Sequence, residues 1–118
     1  MDKPHKKLDV WQVAIIAAQM VYKLSASFPT EEKFGLVSQM RRAVVSIACN
    51  IAEGAARQGK KEFRNFLSMA QGSLSELDTQ LEISLALGYL NSQALDELSS
   101  LLLRIDKMLT ALIRSLSR

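Results

Sequence analysis

Side chains that could perform catalysis or bind metal are few in this 118-residue chain, and they form no recognisable site. One cysteine, Cys49, and one histidine, His5, cannot make a disulfide, a four-ligand zinc site or a credible catalytic pair. The carboxylates Glu53, Glu76 and Asp78 lack the Glu-x-x-His pattern that helical di-metal proteins use. No glycine-rich phosphate loop or nucleophile elbow is present. We therefore predict no catalytic residue, no metal site and no cofactor.

The elements that carry these side chains are predicted to be four helices in one domain, 1–118. Hydrophobic residues make up 48% of the chain and aromatic residues only 6%, which is typical of helices packed through Leu, Ala, Ile and Val. Breaks near Pro29, Gly59 and Gly88 separate segments at about 8–26, 31–57, 60–87 and 92–117, with Thr30 and Asn91 or Ser92 as N-caps. The 3-4 spacing of apolar residues in the last three segments favours an all-α, antiparallel up-down-up-down four-helix bundle.

The first segment is apolar around most of its circumference and leaves only a narrow polar stripe. Such a helix requires burial on two sides, so we predict self-association through Trp11, Ile15, Ala18 and Tyr22. The alternative is an alanine-rich helix with a partly exposed tryptophan. The uncharged stretch 10–22 is shorter than the roughly 20 residues of a membrane span, so we expect a cytoplasmic protein without membrane contact.

Basic residues gather at one end of the predicted bundle, where the N-terminus, the turn between the second and third helices and the C-terminus meet. Nine lysine and arginine residues lie there against four carboxylates. A local positive field of this kind attracts phosphate chains. The alternative is that cations near helix C-termini only complement the helix dipole. The candidate nucleic-acid-binding residues, called the basic end below, are Lys6, Lys7, Arg57, Lys60, Lys61, Arg64, Arg114 and Arg118.

A polar line along the second helix is predicted to face the third helix. A turn near Gly59 would place Arg42 opposite Glu76 and Ser46 opposite Gly72, so we predict an Arg42–Glu76 ion pair. Gly72, costly by about 1 kcal/mol inside a helix, would then allow the two backbones to approach. We interpret Arg42, Asn50, Glu53 and Glu76 as inter-helix polar residues that serve the architecture.

The segments Gln39–Gly54 (QMRRAVVSIACNIAEG) and Gly72–Leu77 (GSLSEL), with Leu8-Asp9-Val10-Trp11 and Leu87-Gly88-Tyr89-Leu90, carry a family resemblance. The chain resembles the four-helix-bundle proteins encoded in intervening sequences of bacterial 23S ribosomal RNA genes. The resemblance implies a small cytoplasmic homo-oligomer, with a barrel-like pentamer among relatives. A related branch, the accessory protein of diversity-generating retroelements, binds a reverse transcriptase and nucleic acid.

Two functional hypotheses follow. The first is a non-enzymatic homo-oligomer that binds structured RNA or DNA through the basic end. The second is a protein adaptor that docks a partner such as a reverse transcriptase or polymerase, with its charges steering association. A stable bundle of undefined role is a third possibility.

Overall fold

Four α-helices follow one another along the chain in the computed structural model, which describes all 118 residues and contains no strand. Short 3-10 turns precede the first and second helices, at Pro4–Lys7 and Thr30–Glu32. The prediction of an all-α, antiparallel up-down-up-down four-helix bundle is confirmed. None of the helices combines the length and apolar character that crossing a membrane requires. The helices are α1 (Asp9–Ser25), α2 (Leu36–Ala55), α3 (Lys60–Ala86) and α4 (Ser92–Leu116).

Each helix packs against its two neighbours around a common core. α1 contacts α2 and α4, and α3 likewise contacts α2 and α4, so α1 and α3 lie diagonally across the bundle. Along each helix, buried apolar side chains recur every three or four residues. Ile47 in α2, Leu77 in α3 and Ile105 in α4 are fully buried members of these stripes. This spacing, visible in the sequence, is what directs one stripe of each helix inward.

The turn between α3 and α4 follows the capping chemistry that its residues predict. Gly88 ends α3 with a φ of 79°, a left-handed conformation that glycine adopts without a steric penalty. Asn91 is the N-cap of α4, because its Oδ1 accepts a hydrogen bond from the backbone N–H of Ala94 at 2.8 Å. Of the two predicted alternatives, the structure uses Asn91.

The second helix begins at Leu36, five residues later than the predicted residue 31, and Thr30 makes no capping bond. Glu32 replaces it, because its Oε1 accepts the backbone N–H of Leu36 at 3.3 Å. A carboxylate also interacts favourably with the positive end of the helix dipole there. The hydroxyl of Tyr89 holds the other oxygen of Glu32 at 2.9 Å. This distant contact keeps Thr30–Glu32 as a separate turn.

The close approach of α2 and α3 occurs at Gly54 and not, as predicted, at Gly72. A Cβ on Gly54 would lie 2.9 Å from Phe63 Cδ1 and 2.9 Å from Phe66 Cβ, whereas a Cβ on Gly72 would meet no atom within 4 Å. The prediction was wrong because Gly72 lies on the exposed surface of α3, at an open groove that Gln39 of α2 also borders, and not in the contact between the two backbones. Gly54 lets the first turn of α3 pack directly on α2.

Candidate nucleic-acid interface

The chain's N-terminal turn, the α2–α3 connection and the C-terminus of α4 lie at the same end of the bundle. Arg64, in the second turn of α3, donates a hydrogen bond from Nη1 to the carbonyl of Leu116 at 2.6 Å. The N-terminal 3-10 turn packs on α1 and α2, and Gln12 Nε2 donates to the carbonyl of Lys6 at 2.9 Å. The structure therefore brings the predicted residues of the basic end to one pole.

Two members of this set, Arg57 and Arg64, are engaged within the protein. Arg57 forms ion pairs with Glu53 and, at 3.8 Å, with Glu62, and its guanidinium lies 4.9 Å from the centroid of the Phe66 ring. Arg64 holds the last turn of α4 through its bond to a backbone carbonyl. Both arginines stabilise the pole, and the charge of Arg57 is largely compensated by its neighbours.

The remaining cations of the basic end are free of carboxylates. The only two ion pairs in the protein both involve Arg57. Lys6 Nζ donates to the carbonyl of Met1, which leaves its charge uncompensated. Five further side chains are exposed and make no hydrogen bond or ion pair within the protein: Lys7, Lys60, Lys61, Arg114 and Arg118.

The opposite end of the bundle has the opposite charge. Lys23 and Lys33 are outnumbered there by carboxylates of the α1–α2 connection, the end of α3 and the start of α4. The net charge is thus positive at one pole and negative at the other, which gives the molecule an electrostatic polarity along its long axis of 44 Å. These carboxylates are Glu31, Glu32, Glu82, Asp96 and Glu97.

Aromatic side chains near the basic end are not arranged to stack on bases. Phe63 and Phe66 are partly buried against Gly54, as their core spacing predicts. The Trp11 ring is also partly buried, and the His5 ring meets it edge-on with 5.0 Å between centroids. Contacts from this pole would therefore reach phosphates and overall shape in preference to base edges.

The inter-helix polar residues adopt a register one residue away from the predicted one. Ser46 Oγ lies 2.8 Å from Ser73 Oγ, not opposite Gly72. Asn50 Nδ2 donates to the carbonyl and hydroxyl of Ser46 in its own helix, at 2.9 and 3.0 Å. Glu53 pairs with Arg57 along α2. The polar residues of α2 therefore make most of these contacts with other residues of the same helix, and only Ser46 reaches α3.

The predicted Arg42–Glu76 ion pair is wrong. Both side chains line one open groove between α2 and α3, of about 370 Å³, but no ion pair forms. Both residues are exposed, and for exposed pairs the Coulomb gain barely offsets the loss of side-chain freedom and hydration. In the same groove, Oε1 of Gln80 is buried without a hydrogen-bond partner.

The four side chains of α1 predicted for self-association occupy the side of α1 next to α2. Trp11, Ile15 and Ala18 are partly buried, while Tyr22 is 43% exposed. Arg41 of α2 stacks on the Tyr22 ring at 4.5 Å and donates to the Tyr22 carbonyl at 3.2 Å. The fully buried stripe of α1, which includes Val10, Ala14, Ala17 and Val21, lies about a quarter of a turn away, so these four residues flank the core at its edge.

Comparisons with known proteins agree with this architecture. The family model described as "23S rRNA-intervening sequence protein" matches residues 6–111. A crystal structure of a protein of unknown function from the S23 ribosomal protein family of Bacteroides thetaiotaomicron has a similar fold, with a TM-score of 0.79 and 23% sequence identity. The match covers 88% of this chain and 97% of that chain. No curated protein matches the sequence.

Proposed function

Because the chain belongs to the 23S rRNA-intervening sequence protein family, we propose that it is a non-enzymatic homo-oligomer that binds structured RNA or DNA through its basic end. The observation that supports this is the set of exposed cations without carboxylate partners, contributed by the N-terminal turn, the start of α3 and the end of α4. Lysine and arginine in this state bind phosphates and release condensed counterions.

Recognition would depend on the shape and charge of the nucleic acid and little on its sequence. The free cations of the basic end are at helix ends and turns, where they would contact phosphates in preference to base edges. Assembly of several copies would multiply the field of the basic end, because each subunit adds the same cations to one rim. The family resemblance favours five subunits in such a ring.

The proposal is tested by measuring affinity for an RNA hairpin and for a DNA duplex between about 50 and 200 mM salt. The variant Lys60→Glu/Lys61→Glu removes two cations from the basic end, both exposed and unpaired. We expect at least a tenfold loss of affinity, and a salt slope smaller in magnitude by about two.

The matched control is Lys23→Glu, compared with Lys61→Glu alone so that both single variants change the net charge equally, at opposite poles. This control should retain most of the affinity if the basic end is the binding surface. Equal losses in both variants would show that only net charge matters, and undetectable binding at low salt would reject the proposal.

The alternative function is that of an adaptor for a partner such as a reverse transcriptase or polymerase. Exposed apolar side chains, above all Phe34 with 89% exposure, support a protein-binding surface. Capture of a partner with the tagged protein, with and without nuclease, separates the two functions. An adaptor retains its protein partner after nuclease treatment, whereas a nucleic-acid-binding protein loses whatever was bridged by RNA or DNA.

A further inference from the structure

Exposed apolar side chains concentrate on the two sides of the bundle that share α2. On the first, the α1/α2 side, Tyr22, Phe34 and Val45 are 43%, 89% and 40% exposed and border one groove of about 430 Å³. Elsewhere on the two sides that contain α4, Ile16 and Leu103 are isolated. Isolated exposed apolar residues are ordinary, but grouped ones indicate an interaction surface.

The second side is formed by α3 where it borders α2. Met69, Glu76 and Ile83 follow one another at intervals of seven residues and so share one face, which Leu87 extends. Ile83 and Glu76 line a groove together with Gln39 of α2. Met69, Ile83 and Leu87 are 55%, 45% and 54% exposed. This α3 strip (Met69, Gly72, Glu76, Ile83, Leu87) faces away from the core.

Gly72 makes the centre of the α3 strip flat, although no contact within the subunit requires a glycine at this position. A Cβ there would meet no atom within 4 Å, and glycine inside a helix costs about 1 kcal/mol relative to alanine. Ser68 and Ser75, one turn away on either side, are small and exposed. A surface of this shape permits close approach of a second molecule.

The two sides carry complementary charge. The charged residues that border the groove on the α1/α2 side are Lys33, Arg41 and Arg42, all basic. Glu76 is the only charged residue that borders the groove on the α3 strip. Arg42 also lines the adjoining α2/α3 groove, but it makes no ion pair with Glu76, so this carboxylate has no ion-pair partner within the subunit. A second copy of the chain therefore offers a matching charge as well as matching apolar side chains.

The two sides also match in height along the bundle. The contacts Glu32–Tyr89 and Ser46–Ser73 set the antiparallel register of the chain. By that register Phe34 lies at the height of Leu87. Val45 likewise lies near Glu76, and Arg41 lies about one turn from it. Two copies placed side by side and pointing the same way would therefore bring apolar residues onto apolar residues and Arg41 towards Glu76.

From these observations we infer that the α1/α2 side of one subunit docks on the α3 strip of a second copy, with both subunits oriented in the same direction. The inference rests on the proposed homo-oligomer and adds the surfaces and the polarity of its contact. The two sides differ, so each subunit has both halves of the contact, and repetition closes a ring when the rotation allows it. All basic ends then lie on the same rim.

Site-directed cross-linking tests this contact. In a Cys49→Ser background, the double variant Phe34→Cys/Leu87→Cys should form intermolecular disulfides and give a ladder of cross-linked species. Each single variant should remain uncross-linked, because the contact joins different residues. A disulfide requires Cβ atoms roughly 4 Å apart, so the result is sensitive to register.

The matched control is Phe34→Cys/Met69→Cys, since Met69 lies on the same strip but 18 residues away, about 27 Å along the helix. This control should not cross-link. Efficient cross-linking by the control, or by Phe34→Cys alone, would contradict the parallel heterologous contact.

Mass in solution provides the second readout. Phe34→Asp should reduce the assembly to smaller species, because it replaces an apolar side chain of the proposed contact by a carboxylate. The side chain is 89% exposed in the subunit, so its replacement leaves the core intact. Leu103→Asp, 55% exposed on α4, should leave the mass unchanged. A wild-type oligomer unaffected by Phe34→Asp overturns this interface alone, whereas a wild-type monomer at micromolar concentration overturns the homo-oligomer as well.

Discussion

At the scale of single residues, two glycines on neighbouring helices have opposite roles. Gly54 is buried where α2 and α3 meet, and a Cβ would come within 2.9 Å of two phenylalanine side chains. Phe63 and Phe66 belong to the first turns of α3, so they cannot move without shifting that helix. Gly72 faces open space.

We expect Gly54→Ala to lower the free energy of unfolding by about 1 to 3 kcal/mol through overpacking, despite the better helix propensity of alanine. Urea denaturation measures the change. Gly72→Ala in the Phe34→Asp background is the control, and it should raise the free energy of unfolding by up to about 1 kcal/mol. A neutral Gly54→Ala would show that the α2–α3 contact adjusts readily.

Tyr89 predicts a pH dependence of stability at alkaline pH. The hydrogen bond from its hydroxyl to Glu32 raises the pKa of Tyr89 above 10.0, and partial burial and the charges of Glu32 and Glu31 act in the same direction. The contact stabilises the folded state while the phenol is protonated. Its contribution is therefore complete below pH 10.0 and is lost as the pH rises through the raised pKa of the folded protein.

Thermal unfolding between pH 8 and 11 tests this linkage. The Tm of the wild-type protein should fall as the pH rises above 10.0. The Tyr89→Phe protein should have a lower Tm at pH 8, and its Tm should fall less over the same range. Tyr22→Phe, which removes a hydroxyl without a hydrogen-bond partner in the structure, should keep the wild-type slope. Equal slopes in wild-type and Tyr89→Phe proteins would exclude this role of the contact.

At the scale of elements, the two ends of α4 are stabilised differently: the N-terminus by a side-chain cap, and the C-terminus by a hydrogen-bond donor from another helix. Asn91 satisfies the N–H of Ala94, and Arg64 of α3 satisfies the carbonyl of Leu116. Helix ends have unpaired backbone groups that need such partners. The first of these contacts is local in sequence, and the second is not.

Replacing Asn91 by alanine should lower the free energy of unfolding by about 1 kcal/mol, because one helical N–H loses its acceptor. Asn91→Asp preserves an acceptor and adds a charge favourable to the helix dipole, so it should retain wild-type stability. Chemical denaturation of the three proteins provides the comparison. A loss in Asn91→Asp as large as that in Asn91→Ala would argue against capping as the cause.

At the scale of the whole molecule, the position of the basic end and the proposed assembly act together. If all subunits point the same way, the free cations of every copy face one rim, and a single nucleic acid can contact several subunits. Affinity should then depend on assembly as well as on charge.

The variants Phe34→Asp and Lys60→Glu/Lys61→Glu should separate these two contributions. Both should weaken binding of an RNA hairpin by tenfold or more, the first by loss of multivalency and the second by loss of phosphate contacts. Only Phe34→Asp should reduce the mass measured by light scattering. Full RNA affinity in a monomeric Phe34→Asp protein would show that one subunit suffices for binding.

The fold was predictable because its determinants are local. The apolar 3-4 spacing of α4, the φ requirement met by Gly88 and the cap provided by Asn91 each act within a few residues. The start of α2 was not predictable in the same way, since it depends on a hydrogen bond between Glu32 and Tyr89, 57 residues apart.

The candidate site was likewise predictable where its determinants are local in sequence and not where they depend on distant contacts. The pattern of apolar residues specifies four amphipathic helices in an antiparallel bundle, and short connections then bring the cations of both termini and the middle turn to one pole. The Glu53–Arg57 pair, four residues apart at the end of α2, is also a local contact. The engagement of Arg64 depends on tertiary packing, because the carbonyl of Leu116 that it binds is 52 residues away. Periodicity sets which face of a helix is buried, but the one-residue register between helices depends on the volumes and contacts of side chains distant in sequence.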